Sequence, residues 1–125
     1  LVCALPGMPC LYYGDEAGLY GYGDPFCRCC YPWGNEDVEL KEVVSRLGKL
    51  RKEHAALMGG YFRILQTNEA VFAFERAAGG HSLLTMLNRS LGPQPLPEGW
   101  EKAKPLFGRA KDGALAAQEV LVLLK

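Results

Sequence analysis

The segment from Pro6 to Glu16 constrains the fold of this chain more than any other part of its sequence. Two prolines exclude a helix through the approach, and the short apolar run Cys10–Tyr13 ends at a glycine. Consecutive apolar residues without alternation favour a strand covered on both faces, as in the parallel sheets of α/β proteins. Ligand-binding groups in such proteins lie at the carboxyl ends of the strands. The pattern therefore predicts a buried strand that presents Asp15 and Glu16 at its end.

The length and charge of the chain limit what this strand can belong to. With 125 residues the chain is too short for a complete (β/α)8 barrel, which needs roughly 250 residues. Fourteen basic and fourteen acidic side chains cancel, which gives no electrostatic basis for binding nucleic acid or an anionic membrane. No apolar run approaches the roughly 20 residues of a membrane-spanning helix. We therefore expect part of a longer polypeptide, with neither nucleic acid nor a membrane as partner.

The five cysteines do not have the spacing of a disulfide framework or of a metal site. Their number is odd, and Cys27, Cys29 and Cys30 are almost adjacent. Zinc sites typically space their cysteines by two to four residues, which disfavours zinc here. We expect reduced thiols, a cytoplasmic location, and no metal or other cofactor. A cysteine-based metal or redox module remains the third and weakest interpretation of the chain.

The sequence predicts one long helix followed by strands. Residues 36–57 carry acidic side chains early and basic side chains late, with Asn35 as the expected cap. Apolar residues recur there at helical spacing: Leu40, Val43, Val44, Leu47, Leu50 and Leu57. Gly48 within this helix indicates close approach of a neighbouring element.

Beyond Gly59 and Gly60 the apolar period changes to two, which is typical of strands in antiparallel hairpins. Prolines at positions 93, 95 and 97 restrict the following segment to an edge or a loop. Residues 120–124 fit either a strand or a helix by periodicity, and we expect a strand. The predicted strands are Tyr61–Leu65, Ala70–Arg76, Ser82–Asn88, Ala103–Phe107 and Glu119–Leu124.

Several segments resemble one enzyme family. PGMPCLYYGDEAG, residues 6–18, resembles the last barrel strand of the α-amylase family, family 13 of the glycoside hydrolases. DPFCR from Asp24 and YPWGNED from Tyr31 resemble the long loop after that strand in neopullulanase and cyclomaltodextrinase relatives. RLGKLRKEHAAL from Arg46 resembles the last barrel helix, and AVFAFER with LLTMLNRS resembles the small β-domain that follows it. The resemblance covers essentially the whole chain.

This resemblance implies an α/β unit followed by an all-β domain. Residues 1–58 would be the eighth β/α unit of a (β/α)8 barrel, and residues 59–125 a small antiparallel β-sandwich. In the family, the catalytic carboxylates lie on the fourth, fifth and seventh strands, upstream of this chain. The complete parent would be a retaining hydrolase that cleaves the α-1,4 glucosidic bonds of an α-glucan or maltooligosaccharide, with α-1,6 bonds as a secondary target. This chain alone would be inactive. A stand-alone, non-catalytic carbohydrate-binding or accessory module is the alternative.

Asp15 and Glu16 are therefore not expected to be the catalytic pair. Retaining glycosidases need two carboxyl groups roughly 5 to 5.5 Å apart across the sugar. Neighbouring side chains on a strand point to opposite faces, so these two cannot easily meet at one bond. We expect both to be buried beneath the active site, where they support it and pair with groups of the preceding strands.

The loop over residues 17–34 carries the expected substrate contacts. A carboxylate at Asp24 and a guanidinium at Arg28 can grip adjacent sugar hydroxyls, one by accepting and one by donating hydrogen bonds. An ion pair that only fixes the loop is the alternative, and the two roles are compatible. Tyr20, Tyr22 and Trp33 offer flat faces for stacking on a sugar ring, or else pack within the loop. We expect substrate binding by Asp24, Arg28, Tyr22 and Trp33.

Overall fold

The chain forms two helices and two antiparallel sheets, and the computed structural model describes all 125 residues. A short 3-10 helix spans Asp15–Ala17, and the α-helices are α1, Val38–Glu53, and α2, Ala55–Gly59. The strands are β1 Tyr61–Thr67, β2 Val71–Ala78, β3 His81–Asn88, β4 Gln94–Pro95, β5 Lys104–Phe107, β6 Ala110–Lys111, β7 Ala114–Leu115 and β8 Val120–Leu124. Neither helix has the length and apolar character needed to cross a bilayer.

The larger sheet confirms the strands expected from the period of two. Its order is β1-β2-β3-β8-β5, and every neighbouring pair is antiparallel. The turn between β2 and β3 uses Gly79 and Gly80, whose φ angles of 61° and 81° suit glycine. β8 lies between β3 and β5, so the final segment is a strand and the helical alternative is wrong.

The smaller sheet has the order β4-β7-β6 and consists of two-residue strands. Pro95 lies in β4 at the edge of this sheet, where the missing N–H of proline costs no hydrogen bond to a neighbouring strand. The expectation that the proline-rich segment forms an edge or a loop is therefore confirmed.

Two apolar cores lie on the two faces of the larger sheet. Alternate residues of β2 serve different cores, because successive side chains of a strand point to opposite faces. One core packs against the smaller sheet and the Trp100 segment: Val71, Ala73, Leu84, Met86, Leu96, Trp100, Leu115, Leu121 and Leu123. The other packs against α2 and the amino-terminal segment: Ala4, Ala56, Leu57, Phe74, Leu83 and Val122.

The predicted helix is present, but it is interrupted and starts later than expected. α1 ends at Glu53, and the extended backbone of His54 separates it from α2. The break turns α2 so that Ala56 and Leu57 become buried. Asn35 is not the cap; the Asp37 side chain accepts the N–H of Leu40 at 2.9 Å. The expectation for Gly48 is also wrong, because a Cβ atom there would face open space.

Two arginines hold the amino-terminal segment against the rest of the fold. Arg76, 1% exposed, donates to the carbonyls of Ala4 and Gly60 at 3.0 and 3.2 Å. Burial lowers the pKa of its guanidinium, and the charge of Arg51 lowers it further. Arg51 in turn donates to three carbonyls of the segment, those of Cys3, Leu5 and Gly7. Carbonyl oxygens thus replace carboxylates as the partners of a buried cation.

The predicted strand Cys10–Tyr13 is not paired in this chain. Its residues form no ladder, and Leu11, Tyr12 and Tyr13 are exposed. A buried parallel strand needs hydrogen-bonding neighbours on both edges, and all strands of this chain belong to antiparallel sheets. The local apolar pattern alone therefore does not make a strand here. The division into domains 1–58 and 59–125 stays a prediction.

Candidate functional site

Asp15 and Glu16 organise the turn at which the functional loop begins. Gly14 precedes their 3-10 helix with a φ of 86°, and a Cβ atom there would clash with Leu19. Asp15 Oδ2 accepts the N–H of Tyr12 at 3.2 Å, and Glu16 Oε2 accepts the N–H of Gly14 at 3.1 Å. The Asp15 side chain is exposed and Glu16 is half-buried, so the expected burial is not observed. Their supporting role stays a prediction.

A backbone hydrogen bond closes the loop at its base. The N–H of Asp37 donates to the carbonyl of Ala17 at 2.9 Å, so the chain leaves and returns at the same point. Asp37 also caps α1, which ties the returning end of the loop to the start of the helix. Residues 18–36 therefore form one surface loop with close ends, a type of loop that is frequently functional.

A small aromatic cleft of about 190 Å³ opens where the loop begins. Apolar and aromatic side chains dominate its lining, and Asp15 supplies a carboxylate. The lining includes Tyr12, Tyr13, Leu19, Tyr20, Tyr22 and Cys27. Concave sites lined by apolar and aromatic side chains with a few polar groups are typical of small-molecule binding. Of the lining residues, the sequence interpretation proposed Asp15, Tyr20 and Tyr22 for the site.

Asp24 and Arg28 lie together beside this cleft. Arg28 Nε is 2.7 Å from Asp24 Oδ1, and the two side chains are 71% and 64% exposed, respectively. Two turn hydrogen bonds support the pair, from Phe26 to the carbonyl of Gly23 and from Arg28 to that of Pro25. The ion pair expected as the alternative is thus formed. Solvent still reaches both groups, which leaves them available to a ligand.

Tyr13 holds the loop in place and was missed by the sequence interpretation. Its hydroxyl lies 3.3 Å from the carbonyl oxygen of Cys27 and 3.0 Å from that of Cys29, so one donor is shared by two acceptors. Desolvation raises the pKa of Tyr13 above its usual value, and the neighbouring Tyr12 raises it further. The available signal was a pair of tyrosines directly before the acidic pair, at the mouth of a long loop.

Tyr20 and Tyr22 point toward solvent with 91% and 86% of their surface exposed. Both line the aromatic cleft, as a sugar-stacking role requires. Trp33 is 79% exposed but does not line the cleft; its ring packs on Tyr31 with a centroid distance of 4.5 Å. Tyr20 and Tyr22 therefore share the cleft with Cys27, the chain neighbour of Arg28, whereas Trp33 is not part of its lining.

The comparisons with known proteins identify relatives of one kind. No family model matches the chain. It is 37% identical over 95 residues to a cyclomaltodextrinase of Geobacillus thermopakistaniensis, an alignment that covers 73% of this chain and 16% of that protein. An amylopullulanase of Thermoanaerobacter thermohydrosulfuricus is 44% identical over 71 residues, which are 57% of this chain and 5% of the relative. The chain is a homologue of α-amylase-family glycoside hydrolases.

Solved structures of this family share the fold. An Anoxybacillus α-amylase superposes with a TM-score of 0.85 and 26% identity over 98% of this chain and 30% of its own. The maltogenic amylase of S. marinus gives a TM-score of 0.82 and 29% identity over 98% of this chain and 18% of its own. The two helices and antiparallel sheets match the carboxyl-terminal domain of these amylases, so the predicted fold class is confirmed at that level. The chain spans 5% and 16% of the two curated relatives described above.

The cysteines of this amylase homologue are all free thiols. Cys29 and Cys30 are exposed, whereas Cys27 is half-buried. No group of three or more histidine, cysteine, aspartate or glutamate side chains is placed to hold a metal ion. His54 begins α2 without a side-chain capping bond, and His81 lies exposed at the hairpin.

Proposed function

We propose that this chain is the carboxyl-terminal portion of a retaining α-glucan hydrolase of the α-amylase family. In this proposal the chain supplies a loop that binds substrate and a β-domain that caps the catalytic barrel. The catalytic carboxylates belong to the preceding part of the same polypeptide. The observation that carries the proposal is the exposed Asp24–Arg28 pair beside a tyrosine-lined cleft, in a homologue of cyclomaltodextrinases.

The chemistry of the loop suits a sugar with neighbouring hydroxyl groups. A carboxylate only accepts hydrogen bonds, whereas a guanidinium only donates them, so Asp24 and Arg28 can bind two adjacent hydroxyls of one ring. Their mutual contact fixes both side chains before the ligand arrives. Tyr20 and Tyr22 present flat apolar faces that fit the apolar face of a pyranose. Together these groups recognise a short α-glucan by its hydroxyls and by its ring.

The same geometry supports a chain that does not catalyse hydrolysis by itself. Asp15 and Glu16 are consecutive, and each accepts a hydrogen bond from a backbone N–H of its own turn. Retaining hydrolysis needs two carboxyl groups that face one bond at roughly 5 to 5.5 Å. We therefore propose that this chain is inactive alone and that Asp15 and Glu16 support the site from below.

The exposure of the amino-terminal segment supports the proposal that it packs against the rest of a barrel in the same polypeptide. Leu11, Tyr12 and Tyr13 are 46%, 53% and 45% exposed, although their residue types favour burial. In the complete polypeptide we propose that Cys10–Tyr13 is the last strand of the barrel. Its backbone groups would then pair with strands supplied by the rest of the polypeptide.

The test is substitution of the loop pair in the full-length polypeptide. We expect Asp24→Ala or Arg28→Ala to cost about 1 to 3 kcal/mol of substrate interaction, which is a fall of roughly 5- to 150-fold in kcat/KM. Maltooligosaccharides of increasing length serve as substrates, so that the affected subsite is located. Unchanged kinetics with short maltooligosaccharides would remove the sugar-contact role.

A matched control lies on α1. Lys49 and Glu53 form an exposed ion pair with the same spacing as Asp24 and Arg28, with 3.7 Å between Nζ and Oε1. Glu53→Ala removes an exposed ion pair far from the loop, and we expect kcat/KM to stay unchanged. An equal loss of kcat/KM in Glu53→Ala would mean that removing any exposed ion pair lowers activity, not the loss of a sugar contact.

A stand-alone carbohydrate-binding module is the second candidate, because the exposed loop is complete without a catalytic pair. The intact mass of the native polypeptide distinguishes the two. A mass several times 13.7 kDa supports the hydrolase, and a mass near 13.7 kDa supports the module. A cytoplasmic location is part of the proposal and rests on five unpaired thiols, which persist in reducing compartments.

A further inference from the structure

The substrate-binding loop carries three thiols within four residues, and the proposed hydrolysis uses none of them. They are Cys27, Cys29 and Cys30, and Arg28 lies between the first two. Exposure of Cys29 and Cys30 gives a small oxidant direct access to the loop. Arg28 itself is the cation of the proposed substrate contact. A covalent change at these thiols therefore alters the immediate surroundings of Arg28.

Two contacts place the first and second thiols on the same turn. Cys27 Sγ lies 3.9 Å from Asp24 Oδ1, to which it donates a weak hydrogen bond. Cys29 Sγ lies 3.0 Å from the carbonyl oxygen of Phe26, the group bonded to the backbone nitrogen of Cys27. The Tyr13 hydroxyl contacts the carbonyls of Cys27 and Cys29, so the chain already bends around one point between them.

The separation of Cys27 and Cys29 along the chain is compatible with a disulfide. Residues two apart in sequence are separated by at most about 7 Å between Cα atoms. Disulfides join Cα atoms roughly 4.4 to 6.8 Å apart. The maximal Cα separation therefore permits a bridge between Cys27 and Cys29. A bridge between Cys29 and Cys30 would instead have to span a single peptide unit.

We infer that Cys27 and Cys29 form a reversible disulfide, which makes this loop a redox-sensitive modification site. A low-molecular-weight disulfide such as oxidised glutathione is the oxidant. One cysteine thiolate attacks it, forms a mixed disulfide and releases one thiol; the second cysteine then displaces the other thiol. Two electrons and two protons pass from the cysteines to the two released thiols. Excess thiol reverses the reaction.

The bridge changes the surroundings of both members of the substrate pair. Oxidation removes the Cys27 S–H that donates to Asp24 Oδ1. It also encloses Arg28 in a small ring, which alters the backbone that holds its side chain at 2.7 Å from Asp24. We expect the oxidised loop to bind sugar less well; this consequence, unlike the disulfide itself, rests on the proposed function.

Trypsin provides the test, because it cuts after Arg28 between the two cysteines. The full-length polypeptide is treated with oxidised glutathione, the remaining thiols are alkylated, and the digest is analysed by mass spectrometry without reduction. We expect the peptide that ends at Arg28 to be linked to Cys29–Lys41 and to separate from it after reduction. A digest in which the two peptides stay unlinked would overturn the inference.

Two serine variants assign the bridge. Cys30→Ser keeps both bridge cysteines, and we expect the linked peptide to form as in the unaltered protein. Cys27→Ser removes one of them, and we expect the linked peptide to be lost. A link that survives in Cys27→Ser would implicate Cys3 or Cys10, and a link that is lost in Cys30→Ser would implicate Cys30. Either result would overturn the assignment.

Activity measurements separate the disulfide from its consequence. The ratio of kcat/KM before and after oxidation is compared within each protein, so that differences in basal activity cancel. We expect a reversible fall in the unaltered protein and a ratio of one in Cys29→Ser. A ratio of one in the unaltered, fully bridged protein would leave the redox site intact and overturn the substrate role of the loop.

Discussion

Asn88 is fully buried at the end of β3, and its side chain joins this strand to two other segments, Ser90–Gly92 and Leu115–Ala116. Its Nδ2 group lies 2.8 to 3.1 Å from the carbonyl oxygens of Gly92, Leu115 and Ala116. Its Oδ1 atom accepts the N–H of Ser90 at 2.9 Å. Asn88→Ala removes the donor to the carbonyl of the buried Leu115 and the acceptor of the half-buried Ser90 N–H. We expect the free energy of unfolding, measured by urea denaturation, to fall by about 2 to 4 kcal/mol.

Asn68 is the matched control for this residue. It is exposed in the turn between β1 and β2, where its Oδ1 atom accepts the N–H groups of Ala70 and Val71. Water can replace those bonds, so we expect Asn68→Ala to cost only about 0.5 to 1.5 kcal/mol. Equal losses in the two asparagine variants would contradict the importance of burial at Asn88.

At the scale of the helix, the start of α1 depends on Asp37. Its side chain accepts the N–H of Leu40, one of the donors that no helical carbonyl can satisfy. We expect Asp37→Ala to lower the free energy of unfolding by about 1 kcal/mol. Asn35→Ala, at the position that the sequence favoured, is the control and should be neutral. The opposite ranking in urea denaturation would contradict the observed start of the helix.

Glu36, next to this cap, gives the helix entry a dependence on pH. A backbone hydrogen bond at Glu36 itself lowers its pKa below the usual 4.5; desolvation opposes the shift, and Lys41 at 3.3 Å adds to it. Because the folded-state pKa is lowered, the stabilisation is present above the unfolded-state pKa and is lost as the pH falls through the folded-state pKa.

We therefore expect Tm to fall on acidification below about pH 4.5, with a shallower fall in Glu36→Gln than in the unaltered protein. Thermal unfolding followed by circular dichroism over this range measures the difference. Identical pH profiles of the two proteins would mean that Glu36 does not contribute.

The elements that could be predicted are those whose signal lies within the segment itself. β2, β3 and β8 each bury residues on a packed sheet, and β1 pairs along the edge of that sheet with β2. The composition of these four segments, with turn residues between them, indicated strands. The interruption at His54 was not predictable from periodicity, because it serves the burial of α2 against distant strands. The cap at Asp37 was available, since this residue directly precedes the first apolar residue of the helix.

In the candidate site, too, local contacts were predictable from the sequence and contacts between distant segments were not. Asp24 and Arg28 are four residues apart in a proline-containing loop, and their contact followed from that spacing. Tyr13 holds the loop through carbonyls 14 and 16 residues away, and no local pattern predicts such a contact. The strand expected at Cys10–Tyr13 depends on neighbouring strands, which are not among the elements of this chain. Contacts between distant segments were therefore beyond the sequence interpretation.

The distribution of exposed apolar surface gives the last prediction. Ten of the sixteen exposed large apolar side chains lie before α1, whereas Phe74 and Trp100 in the cores are buried. Chymotrypsin cuts after aromatic residues, so in the isolated chain we expect the first cuts at Tyr20, Tyr22 and Trp33. If the proposed barrel covers this segment, the same sites in the full-length polypeptide are cut at least about tenfold more slowly, the effect of roughly 1.4 kcal/mol of protection. Uncut sites at Phe74 and Trp100 show that the isolated chain is folded during the assay. Equal cleavage rates in both contexts would mean that the loop is open in both, which favours the stand-alone binding module over the barrel.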